Sequence, residues 1–72
     1  MNEERLLEIF SKNLRELMKE NNINQKDLAY ETGIDQSRIS RYMAGKSMPS
    51  FFTVVKLSEV LFCSLDDFVT EP

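Results

Sequence analysis

Residues 25–44 read QKDLAYETGIDQSRISRYMA, and this stretch decides how the chain is organised. Two short amphipathic runs flank a glycine. Asn24 stands before the first run and Asp35 before the second. Both carry a short side-chain oxygen of the kind that accepts a hydrogen bond from a free N–H in a helix's first turn. The first run spans Gln25 to Thr32, with Asp27 early in it, where the positive end of the helix dipole favours an acid. Gly33 ends it, having no Cβ to oppose a left-handed backbone. The second run spans Gln36 to about Ala44 and stops at Gly45. Two helices crossing steeply over a tight turn require a small residue midway along the first, which is Ala29. They require a turn residue that tolerates positive φ, which is Gly33. They also require a branched apolar residue reaching back from the second helix, which is Ile39. Leu28, Ile34 and Tyr42 fill the remaining local core. Together these offsets predict a helix-turn-helix at about 25–44.

Working outward at 100° per residue, the flanking sequence is also helical. A first helix from about Glu3 to Asn21 places Leu6, Phe10, Leu14, Leu17 and Met18 on one stripe, with Leu7 inside it and Ile9 off it. Asn21 and Asn22 break the run, because short amides compete for backbone hydrogen bonds. Lys46 to Pro49 reads as loop. Ser50 caps a fourth helix, Phe51 to Phe62, and Ser64 caps a last turn, Leu65 to Val69, with Asp66 and Asp67 at its start. No alternating strand pattern and no internal repeat is present. The expectation is an all-α, compact five-helix domain over residues 1–72, with short connections that force neighbouring helices together.

Composition narrows the function classes. The chain is 42% hydrophobic and 29% charged, ordinary values for a globular protein. Cys63 is the lone cysteine and reads as a small hydrophobe near a helix end. With one Cys and no His, a zinc site lacks ligands and the commonest general base is missing. No nucleophile–base pair or phosphate loop is visible, so neither an enzyme nor a cofactor or metal is expected. No apolar stretch approaches the ~20 residues needed to span a bilayer, and no cationic segment precedes an apolar one. A cytoplasmic protein without a membrane partner is the expectation.

The net charge of −3 hides a strong segregation. Residues 1–35 carry eight acids against five bases, and residues 59–72 carry four acids and no base. Between them, residues 36–58 hold Arg38, Arg41, Lys46 and Lys56 with no acid. What matters to a polyanion is the local field at the docking surface. The second helix of the pair divides accordingly. Tyr42, Ile39 and Met43 share one side, while Gln36, Ser37, Ser40, Arg41 and Ala44 share the other, with Arg38 on the flank. A helix fits the DNA major groove, and this polar face holds suitable readers: Gln36 for adenine, Arg41 for guanine O6 and N7, Ser37 for several bases. The fork of Arg41 is the strongest of them.

The segments NQKDLAYETGIDQSRISRYMAGKSMPS and FFTVVKLSEVLFCSLDDFV resemble the Cro/C1-type family of phage and bacterial repressors, also called XRE-like, from about Phe10 to Val69. The resemblance implies a lambda-repressor-like DNA-binding domain and a transcriptional regulator, chiefly a repressor, without a sensor domain. It implies that Gln36, Ser37 and Arg41 face base edges, that Gln25 opens its helix against a phosphate, and that Lys46 touches backbone beyond the recognition helix. Arg38 on the flank and Ser40 on that face are further phosphate contacts. Family members bind palindromic operators as two-fold dimers. Phe52, Val55 and Phe62, with Phe68 and Val69 at the end, are the candidates for a homodimer interface. Ile9 is left to pack on a partner or lie exposed.

Three departures from the family pattern stand out. An Arg late in the first helix and a Glu after the recognition helix commonly pair in relatives; Met18 and Met43 hold those places here. Phe62 stands where the fourth helix usually ends in Gly, so either a bulky residue takes a left-handed backbone or the turn differs. The first helix begins early. The alternative function is a protein-interaction module, such as an antitoxin or anti-repressor component using the same fold.

Overall fold

The computed structural model describes residues 2–71, so Met1 and Pro72 of the expected domain lie outside it. In chain order it comprises α1 (Glu3–Glu20), α2 (Gln25–Thr32), α3 (Gln36–Met43), α4 (Phe51–Val60) and a short 3₁₀ turn (Leu65–Phe68). The architecture is all-α, with four α-helices where the sequence suggests five.

The starts of three helices are set by side-chain caps. Asn2 Oδ1 accepts from Arg5 N–H at 2.7 Å, Asn24 Oδ1 from Asp27 N–H at 2.8 Å, and Ser50 Oγ from Thr53 N–H at 3.2 Å. Asp35, expected to cap α3, does not. Its carboxylate makes no capping bond, and its backbone carbonyl alone accepts from Arg38 and Ile39. The cause is local. Asp35 has ψ 137°, whereas Asn2, Asn24 and Ser50 have ψ 169°, 175° and 163°, and that rotation carries its side chain away from the first-turn N–H groups.

Every helix ends at a left-handed residue: Asn22 (φ 55°), Gly33 (φ 74°), Gly45 (φ 70°) and Phe62 (φ 52°). Behind three of them the next N–H reaches back five residues: Ile23 to Met18 O, Lys46 to Arg41 O and Cys63 to Ser58 O. This closure satisfies carbonyls that the helix leaves free. It also shortens α4 relative to the sequence reading, since Leu61 is the cap and Phe62 already lies outside. Phe62 therefore adopts the strained left-handed conformation.

The core comprises Phe10, Leu14 and Met18 of α1, Leu28 of α2, Ile34 of the turn, Ile39 and Tyr42 of α3, Leu57 and Leu61 of α4, and Phe68. Phe10 and Phe68 meet with ring centroids 5.3 Å apart and planes inclined by 32°. Phe68 is 1% exposed and so is withdrawn from any interface with a second copy. Asn13 of α1 fastens the last element. Its Nδ2 donates to Phe68 O at 2.9 Å and Thr70 O at 2.8 Å, tying the last element to α1. Asn21 repeats the device, donating to Leu17 O and to Leu61 O at the end of α4.

Ile9 is buried, and so neither packs on a partner nor lies exposed. α1 packs against α3 on one side and the 3₁₀ turn on another. An element with neighbours on two sides needs a wider apolar surface than one stripe, and Ile9 lies on the α3 side near Ala44. Met18 is buried and Met43 packs against the core, so the place of the family's ion pair is apolar. Exchanging a buried ion pair for apolar packing is often neutral or stabilising.

Candidate nucleic-acid interface

The geometry of the α2–α3 turn starts with Gly33. A Cβ built there would meet nothing within 4 Å, so glycine is required by the backbone angle and not by crowding. Thr32 braces the turn from within. Its Oγ1 donates to Leu28 O at 2.7 Å and accepts from Ile34 N–H at 3.2 Å. Ile34 is thereby held in the core, and α3 leaves the turn with Ile39 fully buried and Tyr42 4% exposed. Half-buried Ala29 packs against the same core. The three motif residues thus occupy the places their spacing suggests.

Burying Ile39 and Tyr42 fixes the rotation of α3. Gln36, Ser37, Arg38, Ser40 and Arg41 are all exposed, on a helix that carries no acid. Lys46, just beyond the helix, is exposed, and its N–H closes on Arg41 O at 3.0 Å. Half-buried Gln25 joins this surface from α2 by donating its Nε2–H to Gln36 O at 3.1 Å. The sequence-predicted polar residues are therefore contiguous along α3 and the start of α2.

Arg38 and Arg41 differ in their partners. The Arg38 guanidinium donates to Tyr42 Oη at 3.0 Å and lies 6.0 Å from the centre of that ring. It is tied on the flank to a core residue. Arg41 makes no side-chain hydrogen bond or ion pair among the described residues, and its fork is free to meet a planar acceptor pair.

Sequence reasoning missed two supports. Arg15 donates its guanidinium N–H to the Met43 carbonyl, placing a cation at the C-terminal end of α3 where the helix dipole is negative. One turn before the family's usual arginine position, it restores a link between α1 and α3. A main-chain carbonyl leaves no mark in the sequence, so only the fold reveals this partner. Thr32 is the second; a Thr before a Gly has no distinctive spacing.

An all-α fold built round a helix-turn-helix, with the outer face of its second helix polar, cationic and open, defines a DNA-binding helix-turn-helix protein. The sequence pattern of the helix-turn-helix family matches residues 14–68, and the chain belongs to that family, the Cro/C1-type or XRE-like group of DNA-binding transcription regulators. It is similar to the uncharacterized HTH-type transcriptional regulator YqaE of Bacillus subtilis (strain 168), with 31% identity over 58 residues. That match takes in 81% of this chain and 50% of the other, so the chain spans half the length of this curated relative. Among solved structures it resembles the restriction-modification controller protein C.AhdI from Aeromonas hydrophila, with TM-score 0.81 and 27% identity over 86% of this chain and 94% of that one. A helix-turn-helix family transcriptional regulator from Vibrio cholerae superposes with TM-score 0.86 at 21% identity, over 93% of this chain and 38% of the other, and supports the fold alone.

Proposed function

We propose that this chain binds double-stranded DNA by laying α3 in the major groove, and that it acts as a transcriptional regulator, chiefly a repressor. The observation that carries this reading is the exposed, acid-free face of α3, set by the burial of Ile39 and Tyr42 on its other side. Gln36, Ser37 and Arg41 read base edges, because amide, hydroxyl and guanidinium groups match the donor and acceptor pattern of the major groove. Gln25, Arg38, Ser40 and Lys46 contact phosphates on either side. At Gln25 the free N–H groups of the α2 N-terminus add to the attraction for an anion. Phosphate contacts set the register, and base contacts set the sequence.

The reading extends to two copies on a palindromic operator. Phe52 is 69% exposed on α4, with Val55 half-buried beside it and Lys56 Nζ 4.9 Å from the Phe52 ring centre. These residues form the centre of the proposed homodimer contact. The molecule measures 32 × 21 × 20 Å, which suits two copies side by side with recognition helices about 34 Å apart. Phe62 stands at the far end of α4 in different surroundings.

Selection from random-sequence duplexes with the purified chain tests the reading. The expected product is a two-fold repeated motif whose half-sites lie about one helical turn apart, with affinity that falls steeply as salt rises. Recovery of unenriched sequence, or binding indifferent to salt, would reject it in favour of the protein-interaction alternative.

A further inference from the structure

The end of α4 presents a surface that DNA binding does not use. Phe62 is 88% exposed, more than any other large apolar side chain described. It lies between two shallow grooves. The first runs along α1 to the chain's end and is lined by Leu17, Leu61 and Cys63, with Glu16, Glu20 and Asp67 on its walls. The second lies between α2 and α4, where Ile23 and Val60 form the apolar part and Glu31 and Glu59 the rim. Neither lining includes a lysine or arginine. The five carboxylates named are exposed and form no ion pair among the described residues.

These features together choose an occupant. An exposed aromatic ringed by half-buried apolar residues has the anatomy of a binding anchor, since a few such residues dominate the energy of many interfaces. A second copy of the chain is a poor fit. A two-fold interface sets one patch against itself, and here that would oppose carboxylate to carboxylate at the rim. A nucleic acid is excluded on the same electrostatic ground. A polypeptide with Lys or Arg side chains around one large apolar residue matches both the charge and the shape. We propose that the surface centred on Phe62 is a docking site for a basic segment of another protein, which sets an apolar side chain against Phe62 and its cations against Glu16, Glu20, Glu31, Glu59 and Asp67. The site lies apart from α3, so occupancy of one leaves the other open.

Selection of random twelve-residue peptides on the full chain tests the assignment. The enriched peptides are expected to combine Lys or Arg with Leu, Phe or Trp. Synthetic copies should bind Phe62→Gly at least tenfold more weakly, and Glu16→Lys/Glu20→Lys likewise. Phe62→Gly relaxes a strained backbone, so a loss of binding is not a loss of folding, and its far-ultraviolet circular dichroism should match the parent chain. Its affinity for duplex DNA should be unchanged. The proposal is overturned by selection of acidic peptides, by no enrichment, or by equal affinity for the parent and Phe62→Gly. It is overturned equally if sedimentation shows that Phe62→Gly weakens self-association, which would give the surface to a second copy.

Discussion

The side chain of Gln25 donates to the main-chain carbonyl of Gln36 at 3.1 Å, joining the first residue of α2 to the first residue of α3. Because the donor is a side-chain amide, the tie leaves Gln25 Oε1 and the whole Gln36 side chain unspent. The proposed phosphate contact and the proposed base reader are thus held in fixed relation by one hydrogen bond. With Thr32 bracing the turn between them, the unit is preorganised for a duplex and need not be ordered by it.

Arg41 and Lys46 separate reading from anchoring. Arg41→Ala is expected to cost about 1–3 kcal/mol on the selected operator and to relax choice at one base pair. Lys46→Ala is expected to weaken binding on all sequences and to lower the salt slope by about one. Titrations of each variant against the operator and single-base variants, at several salt concentrations, check both. Equal loss on every sequence for Arg41→Ala would move that residue to the phosphate class.

The two glycines should respond differently to the same substitution. At Gly33 an added Cβ meets nothing within 4 Å, so Gly33→Ala costs only the left-handed backbone, about 1–2 kcal/mol. At Gly45 a Cβ would come within 3.3 Å of Ser11 Oγ, so Gly45→Ala bears the same backbone cost and also presses on the Ser11 side chain of α1. Denaturation midpoints should therefore fall further for Gly45→Ala. A fall of equal size would mean that the α1–α3 contact yields without cost.

Local chemistry was legible in the sequence, and tertiary reach was not. The bounds of α2 and the places of Ala29, Gly33 and Ile39 follow from caps and spacing within twenty residues. The polar face of α3 follows from the same periodicity. Asn13 looks like any polar residue on a helix flank, yet its acceptors are carbonyls some fifty-five residues away. Phe68 reads as outward-facing in the sequence because its ring partner, Phe10, is equally remote. Ile9 falls off the stripe because a single stripe cannot represent a helix with neighbours on two sides. Asp35 has the right side chain for a cap, but its ψ, set by the turn after Gly33, is wrong for one.

Asn13→Asp tests how firmly the C-terminal segment is fastened. The substitution replaces both N–H donors by acceptors and leaves Phe68 O and Thr70 O without partners. Each such group costs about 1–3 kcal/mol when buried, and the Thr70 site is only partly so. A total loss of about 2–4 kcal/mol is expected on that basis. Hydrogen exchange should quicken first at the amides of Val69 and Thr70, which bond to Asp66 O. Uniform acceleration across the chain would show that the segment is no separate unit.

Cys63 makes stability depend on alkaline pH. Burial pushes its thiol above the usual value, and the carboxylates of Asp67 and then Glu20 push it further. A raised value in the folded state means that the thiolate is favoured on unfolding. The thiol's contribution is therefore fully present below the ordinary pKa of about 8.5 and is lost as pH rises through the folded value. Urea denaturation at pH 7 and pH 10 should show a larger alkaline loss for the parent chain than for Cys63→Ala. Parallel losses would place the thiol in an environment no different from solvent.

Phe62→Gly should stabilise the chain, although it deletes an aromatic ring. A left-handed backbone costs a residue other than glycine about 1–2 kcal/mol. Glycine offsets about 0.5–1 kcal/mol of that relief through the freedom it gives the unfolded chain. The ring is 88% exposed, so little apolar burial is lost with it. The balance is a gain of about 0.5–1 kcal/mol, a rise in Tm of roughly 2–8 °C for a domain this small. Asn22→Gly provides the comparison. Its φ of 55° is nearly the same, but asparagine tolerates that region well, so its gain should be the smaller. Thermal melts of both variants check the order. A fall in Tm for Phe62→Gly would show that the ring contributes packing which its exposure conceals, and would remove the case that it is kept for contact with another molecule.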